Sequence, residues 1–197
     1  MSGETDHDLV GAGLAASAAV LERLREPAHV AAIVAAAGMI TDSLRAGGKL
    51  LLFGNGGSAA DAQHVAAELV GRFRLERAPL PALALADNGA AVTAIANDYA
   101  FADVFARQVT GLGAAGDVAL AISTSGNSPN VLEGIAAAGA RDMRTIGLTG
   151  AGGGALASAV DVCIAVPAHA TARIQEAHGV VAHLICEIVE RDLAARG

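Results

Sequence analysis

The chain has 197 residues, one domain's worth by length, with volume for a full core and little left for a second independent one. Hydrophobic residues make up 53% and charged ones 17%, which excludes intrinsic disorder; Trp is absent and aromatics are 3%, so Ala, Val, Leu and Ile must build the core. Lys plus Arg (13) against Asp plus Glu (20) gives a formal charge of -7, with no basic block and few rings to stack on bases, which argues against nucleic acid as a partner.

At the N-terminus, Glu4, Asp6 and Asp8 stand where a secretory signal would carry Lys or Arg. Val10, Leu14, Ser17, Leu21 and Leu24 then fall on one helical stripe. Pro27 interrupts the run, and Val30, Ile33, Val34, Ala37, Ile40 and Leu44 form a second stripe that stops at Gly47-Gly48. The two predict a helical hairpin over about residues 1–47. Apolar stretches such as Val30 to Ile40 are interrupted well short of the ~20 residues a bilayer requires, so no membrane span is expected.

After the hairpin, short apolar runs each stop at a Gly- or Ser-rich turn and pass into an Ala-rich helical segment. They are Leu50 to Phe53, Pro81 to Ala86, Val118 to Ile122, Arg144 to Leu148 and Val162 to Val166. Strands alternating with helices predict a five-stranded parallel sheet covered on both faces. A last helix, roughly Ile174 to Ala195, carries Ile174, Ala177, Val181, Leu184 and Ile188 on one stripe. The whole, residues 1–197, reads as a single domain with an N-terminal helical extension. Cys163 and Cys186 have no framework spacing, which points to small core residues in a reducing cytoplasm.

In an open parallel sheet, ligands bind at the carboxyl ends of strands near the switch point. Gly54-Asn55-Gly56-Gly57-Ser58 follows the first strand and opens a helix, so its backbone can approach a ligand and its free amides can meet oxygens. A plain strand-to-helix turn would also explain it. Gly54, Gly56 and Ala59 further fit a dinucleotide pattern, but the acidic residue expected about 20 positions on has no well-placed candidate: Glu76 lies in a charged connection and Asp87 is too far along.

Ser123-Thr124-Ser125-Gly126-Asn127-Ser128 sits between the third strand and its helix, and Ser128-Pro129 marks the helix start. Four hydroxyls around the positive end of a helix form a candidate phosphate cradle. A cap and turn without function needs only one of them. The loop lacks the G-K-[ST] ending of a nucleotide P-loop, so a phosphomonoester on a small molecule fits better than ATP. On the helix opening at Ser58, His64 and Glu68 are four apart on one face, near Asp61; such a pair can bind a divalent ion or act as acid and base. The last helix adds Gln175, Glu176, His178 and His183, any of which can equally be a satisfied core or surface residue.

In chain order, Gly54-Asn55-Gly56-Gly57-Ser58-Ala59-Ala60-Asp61-Ala62-Gln63-His64, Ala94-Ile95-Ala96-Asn97-Asp98, Ser123-Thr124-Ser125-Gly126-Asn127-Ser128 and Ile174-Gln175-Glu176-Ala177-His178 closely resemble the motifs of the phosphoheptose isomerases, single sugar-isomerase (SIS) domain enzymes. The resemblance covers nearly the whole chain. It implies a flavodoxin-like three-layer α/β/α sandwich and a cytoplasmic homotetramer that interconverts sedoheptulose 7-phosphate and D-glycero-D-manno-heptose 7-phosphate, the entry to activated heptoses for bacterial surface polysaccharides such as lipopolysaccharide. By motif, Asn55, Gly56, Gly57, Asn97 and Asp98 would contact substrate, and Ser123, Thr124, Ser125 and Ser128 would hold its phosphate. His64, Glu68, Gln175 and His183 would bind one zinc ion per subunit, Glu68 and Gln175 also touching substrate, and Glu68 and His183 would exchange the protons. A non-enzymatic relative that binds a replication initiator shares the fold but is expected to lack Glu at the position of Glu68.

Gln175 and His183 are eight residues apart, about 12 Å of helix rise, so reaching one ion requires either a helix that begins after Gln175 or a site that borrows from a second subunit.

Overall fold

In the computed structural model, which describes residues 5–194, Pro27 and Gly47-Gly48 bound two helices, α1 (Asp6–Arg23) and α2 (Pro27–Arg45). Glu4 and the expected helix end at Ala195 lie outside the described residues. A capping box opens α1: Thr5 Oγ1 accepts from the Asp8 amide at 3.2 Å, and Asp8 Oδ2 accepts from the Thr5 amide at 3.1 Å. Asp6 and Asp8 therefore complement the helix dipole in the first turn.

The alternating segment follows as β1 (Leu50–Gly54), α3 (Gly57–Val70), β2 (Ala82–Ala84), α4 (Gly89–Asp98), α5 (Val104–Leu112), β3 (Val118–Ser123), α6 (Pro129–Gly139), β4 (Arg144–Thr149), β5 (Val162–Ala165) and α7 (Thr171–Ala194). Short 3-10 turns occupy Phe101–Asp103 and Ala155–Ser158. All neighbouring strands are parallel, in the order β2-β1-β3-β4-β5, the flavodoxin-like arrangement. The order reverses between β1 and β3, whose carboxyl ends lie side by side with Gly54 opposite Ile122. The second strand is shorter than the expected Pro81 to Ala86. It lies at the sheet edge, where Leu83 is half-exposed and Pro81 has no amide to donate.

Side chains alternate along β1, so one apolar run serves two cores. Leu50 and Leu52 join Ile40, Val65, Ala177 and Val181 beneath α2, α3 and α7. Leu51 and Phe53 join Val104, Phe105, Val131 and Ile135 beneath α5 and α6, with the Phe53 and Phe105 rings stacked at 5.2 Å. Both thiols are free; Cys186 is buried, and its pKa is pushed up to about 12, first by burial and then by the carboxylates of Glu68 and Glu190.

The N-terminal stripes differ from expectation. Val20 of α1 and Leu24 just past its end are buried, while Leu9, Val10 and Leu14 are more than half exposed; on α2, Ile33, Ala37 and Ile40 are buried but Val30 and Val34 are not. The stripes are broader than one partner can cover, and among the described residues α1 packs chiefly against α7. By length and mean hydropathy, α2 is apolar enough to cross a bilayer, so the expected interruption of the Val30 to Ile40 stretch does not hold. Its buried face packs instead against α7 and β5.

Candidate active site

Two loops meet at the switch point. The backbone of Gly54 to Gly57 turns sharply from β1 into α3, and a Cβ on Gly57 would collide with the side-chain amide of Gln175 from α7. Without a Cβ at 57, the Gln175 amide lies directly against the loop backbone. Asn55 is fixed by a reciprocal amide pair with buried Asn130 of α6, both bonds 2.8 Å. From the β3 side, Gly126 adopts φ +66° and leaves no room for a Cβ beside the Gly153 carbonyl. The serine loop is thus braced by the glycines that follow β4.

Between these loops lies a pocket of about 320 Å³, lined by Asn55, Gly56, Gly57 and Ser58 from one side, Ser123, Thr124 and Ser128 from the other, and Thr171 and Gln175 from α7. Ser128 starts α6 but its hydroxyl makes no capping bond; it faces the Ser123 hydroxyl at 3.1 Å. That leaves both hydroxyls oriented into the pocket rather than consumed by the helix end, as an anion cradle requires. Ser125 is not part of this lining: it is exposed, and its Oγ accepts from the Asn127 amide at 3.1 Å. Asn97 and Asp98 are exposed at the end of α4 and bond to each other at 2.8 Å, away from the pocket lining.

A second polar group assembles where α3 and α7 pack together. His64 Nε2 is 3.1 Å from Glu68 Oε1 and 3.4 Å from His183 Nε2, and one donor atom from each of the three residues lies within 4.8 Å of the others. The imidazoles meet edge to face at 4.9 Å, and the Phe73 ring lies 5.5 Å from that of His183. Nearby, burial pushes the Asp61 carboxyl above the usual carboxylate range, partly offset by His64.

Two imidazole nitrogens and a carboxylate oxygen suit zinc, and tetrahedral bonds of about 2.0–2.1 Å would set two nitrogen ligands about 3.4 Å apart. The residues therefore fit the metal. Helix α7 begins at Thr171, so Gln175 is inside it, two turns from His183, and the alternative of a helix beginning after Gln175 does not hold. Its amide sits against Gly57 on the pocket side. The structure thus gathers three of the four expected ligands in one place. Asn130 and Thr171 carry no sequence pattern that marks them, and Ser58, in the motif at the start of α3, adds to the lining without being among the expected contacts.

A parallel sheet with its hydroxyl-lined pocket at the switch point defines a sugar-isomerase (SIS) domain protein, and the SIS domain family model matches residues 14–150. The chain is 56% identical over 164 residues to the phosphoheptose isomerase of Rhodospirillum rubrum, covering 83% of this chain and 87% of that protein. It is 50% identical over 186 residues to that of Geobacter sulfurreducens, covering 94% and 98%. The solved phosphoheptose isomerase of Neisseria gonorrhoeae superposes with a TM-score of 0.90 at 45% identity, covering 95% of this chain and all of that one (100%). The chain belongs to the phosphoheptose isomerase family and is an isomerase.

His178, one of the polar residues singled out on α7, serves the core. It is fully buried, its Nε2 donates to the Thr149 carbonyl at 3.0 Å, and Nδ1 has no partner among the described residues. Burial, opposed by that hydrogen bond, lowers its pKa from 6.5 to about 4. The unfolded chain therefore takes up this proton at higher pH than the folded one, so acidification from pH 6.5 to 4 favours unfolding, by about 3 kcal/mol in total from this group. Denaturation across that range should show stability falling with pH less steeply in His178→Gln than in wild type; identical slopes would contradict the assignment.

Proposed function

We propose that this isomerase converts sedoheptulose 7-phosphate to D-glycero-D-manno-heptose 7-phosphate through an enediol, supplying activated heptose for bacterial surface polysaccharide from the cytoplasm. The observation that carries the reading is the approach of Glu68 and His183 beside the helix that also closes the hydroxyl-lined pocket. The relatives from Rhodospirillum rubrum, Geobacter sulfurreducens and Neisseria gonorrhoeae, all phosphoheptose isomerases, support the same substrate class.

Ketose–aldose isomerisation removes a proton beside a carbonyl and returns one to the neighbouring carbon, so it needs a base, an acid and a stabiliser for the oxygens that become negative. Ser123, Thr124 and Ser128 hold the phosphate. That anchor orients the far end of an extended heptulose along α7 toward the second polar group, and binding energy is spent on placement. Glu68 and His183 exchange the protons there. Gln175, between the two ends, donates its amide to a sugar oxygen. Turnover of sedoheptulose 7-phosphate should be present in wild type and fall about 100-fold or more in Glu68→Gln and in His183→Ala; near-normal turnover in both variants would contradict the assignment.

We further propose that His64, Glu68 and His183 would hold a zinc ion, with Gln175 as the fourth ligand the family motifs imply. The metal would supply Lewis-acid polarisation of the substrate's carbonyl and hydroxyl oxygens. An atom bonded to metal cannot take a proton, so Glu68 would use its second oxygen for proton transfer and His183 would give up its place on the metal to act on substrate. Chelation should remove close to one zinc per chain together with most of the activity, and zinc should restore it; full activity in metal-free protein would contradict the role.

A homotetramer is also proposed. The groove between α1, α2 and α7, lined by Leu21, Leu24, Val30, Ile33, Val34 and Leu184, and the exposed Leu9, Val10 and Leu14 offer an apolar surface that suits further copies of the chain. A neighbouring subunit would then bring Asn97 and Asp98 to substrate. Light scattering should give the mass of four chains, and a monomer would contradict this.

A further inference from the structure

Seven residues beyond His183, on the same face of α7, Glu190 is buried to 2% exposure with three hydrogen bonds from consecutive amides: Phe73 at 3.0 Å, Arg74 at 2.8 Å and Leu75 at 2.9 Å. Its partner is Arg77, whose side chain is 7% exposed and whose Nε lies 3.2 Å from Glu190 Oε1 as an ion pair, not an aligned hydrogen bond. The two remaining nitrogens of that guanidinium fork onto the end of α3, donating to the Glu68 carbonyl at 2.9 Å and the Leu69 carbonyl at 2.8 Å. A cation there also answers the negative end of the helix dipole.

One end of the pair therefore holds a proton-transfer residue directly, and the other holds a segment that packs against the second. Arg77 grips the backbone of Glu68 itself. Glu190 grips the segment whose first member, Phe73, lays its ring against His183. Arg74 adds a second tie from this segment to α7 through Glu187 at 2.6 Å.

We propose that the buried Arg77–Glu190 pair is a positioning device that sets Glu68 on α3 against His183 on α7. A buried ion pair is a poor source of net stability, since apolar replacements of similar volume are often neutral or better, but its directional bonds fix relative placement. Proton transfer is sensitive to that placement, because a misplacement of about 1 Å can cost on the order of 100-fold in rate. The phosphate pocket is built from other loops and does not depend on the pair.

The inference rests on the isomerase reading and is tested by two independent readouts. Arg77→Lys keeps the charge but loses the fork. Arg77→Met/Glu190→Gln removes both buried charges together while leaving a side-chain oxygen at position 190 to accept from the amides of Phe73 to Leu75. In both, kcat should fall about 10-fold or more with KM for sedoheptulose 7-phosphate within about 3-fold of wild type. By NMR of isotope-labelled histidine, the His183 ring signal should shift as Phe73 leaves it, while binding of inorganic phosphate is unchanged. Folded variants with lower Tm but wild-type kcat and an unmoved His183 signal would overturn the proposal. If wild type does not turn over the ketose phosphate, the isomerase reading fails, and the His183 signal alone decides whether the pair positions the cluster.

Discussion

Helix α7 imposes the constraint on which the site depends: one rigid element carries a side chain at each of the two polar groups. Ile174, Ala177, His178, Val181, Ile185, Cys186 and Val189 are buried, which leaves no freedom to rotate the helix about its axis. Gln175 is thereby held against the glycine loop, His183 against α3, and Glu190 against the segment after α3. About 12 Å of rise separates Gln175 from His183.

The sheet places the other half of the site. Parallel strands point all their carboxyl ends the same way, and only the reversal of order between β1 and β3 opens a crevice there. The short side chains of the two loops are a consequence. Backbone must pass close to backbone at Gly126 and close to an amide at Gly57, so glycine and serine are the residues that fit. The alanine-rich composition has the same origin, since helices without bulk can lie close to one another and to the sheet.

Much of this was legible in the sequence. Five apolar runs bounded by turn residues and separated by helical periodicity mark a parallel sheet, and four of the five strands match to within about a residue at either end. Both ligand loops could be found because a strand-to-helix turn rich in Gly or Ser leaves a local signature. His64 and Glu68 could be paired because helix periodicity puts i and i+4 together. His183 could not be joined to them by spacing, since its partners lie more than 100 residues away and only family motifs linked them. Asn130, Thr171, Arg77 and Glu190 act through tertiary contacts that leave no local pattern. The exposure of Leu9, Val10 and Leu14 was also out of reach, because a helical stripe says that a face is apolar but not what covers it.

The central claim is that one ligand spans the serine-lined pocket and the Glu68–His183 pair. The most direct measurement is a crystal structure of the Glu68→Gln protein with sedoheptulose 7-phosphate bound. The account expects the phosphorus among Ser123, Thr124 and Ser128, with carbons one and two within hydrogen-bonding reach of residue 68 and His183. A ligand bound with its phosphate elsewhere, or with those carbons distant from both side chains in every subunit, would contradict it.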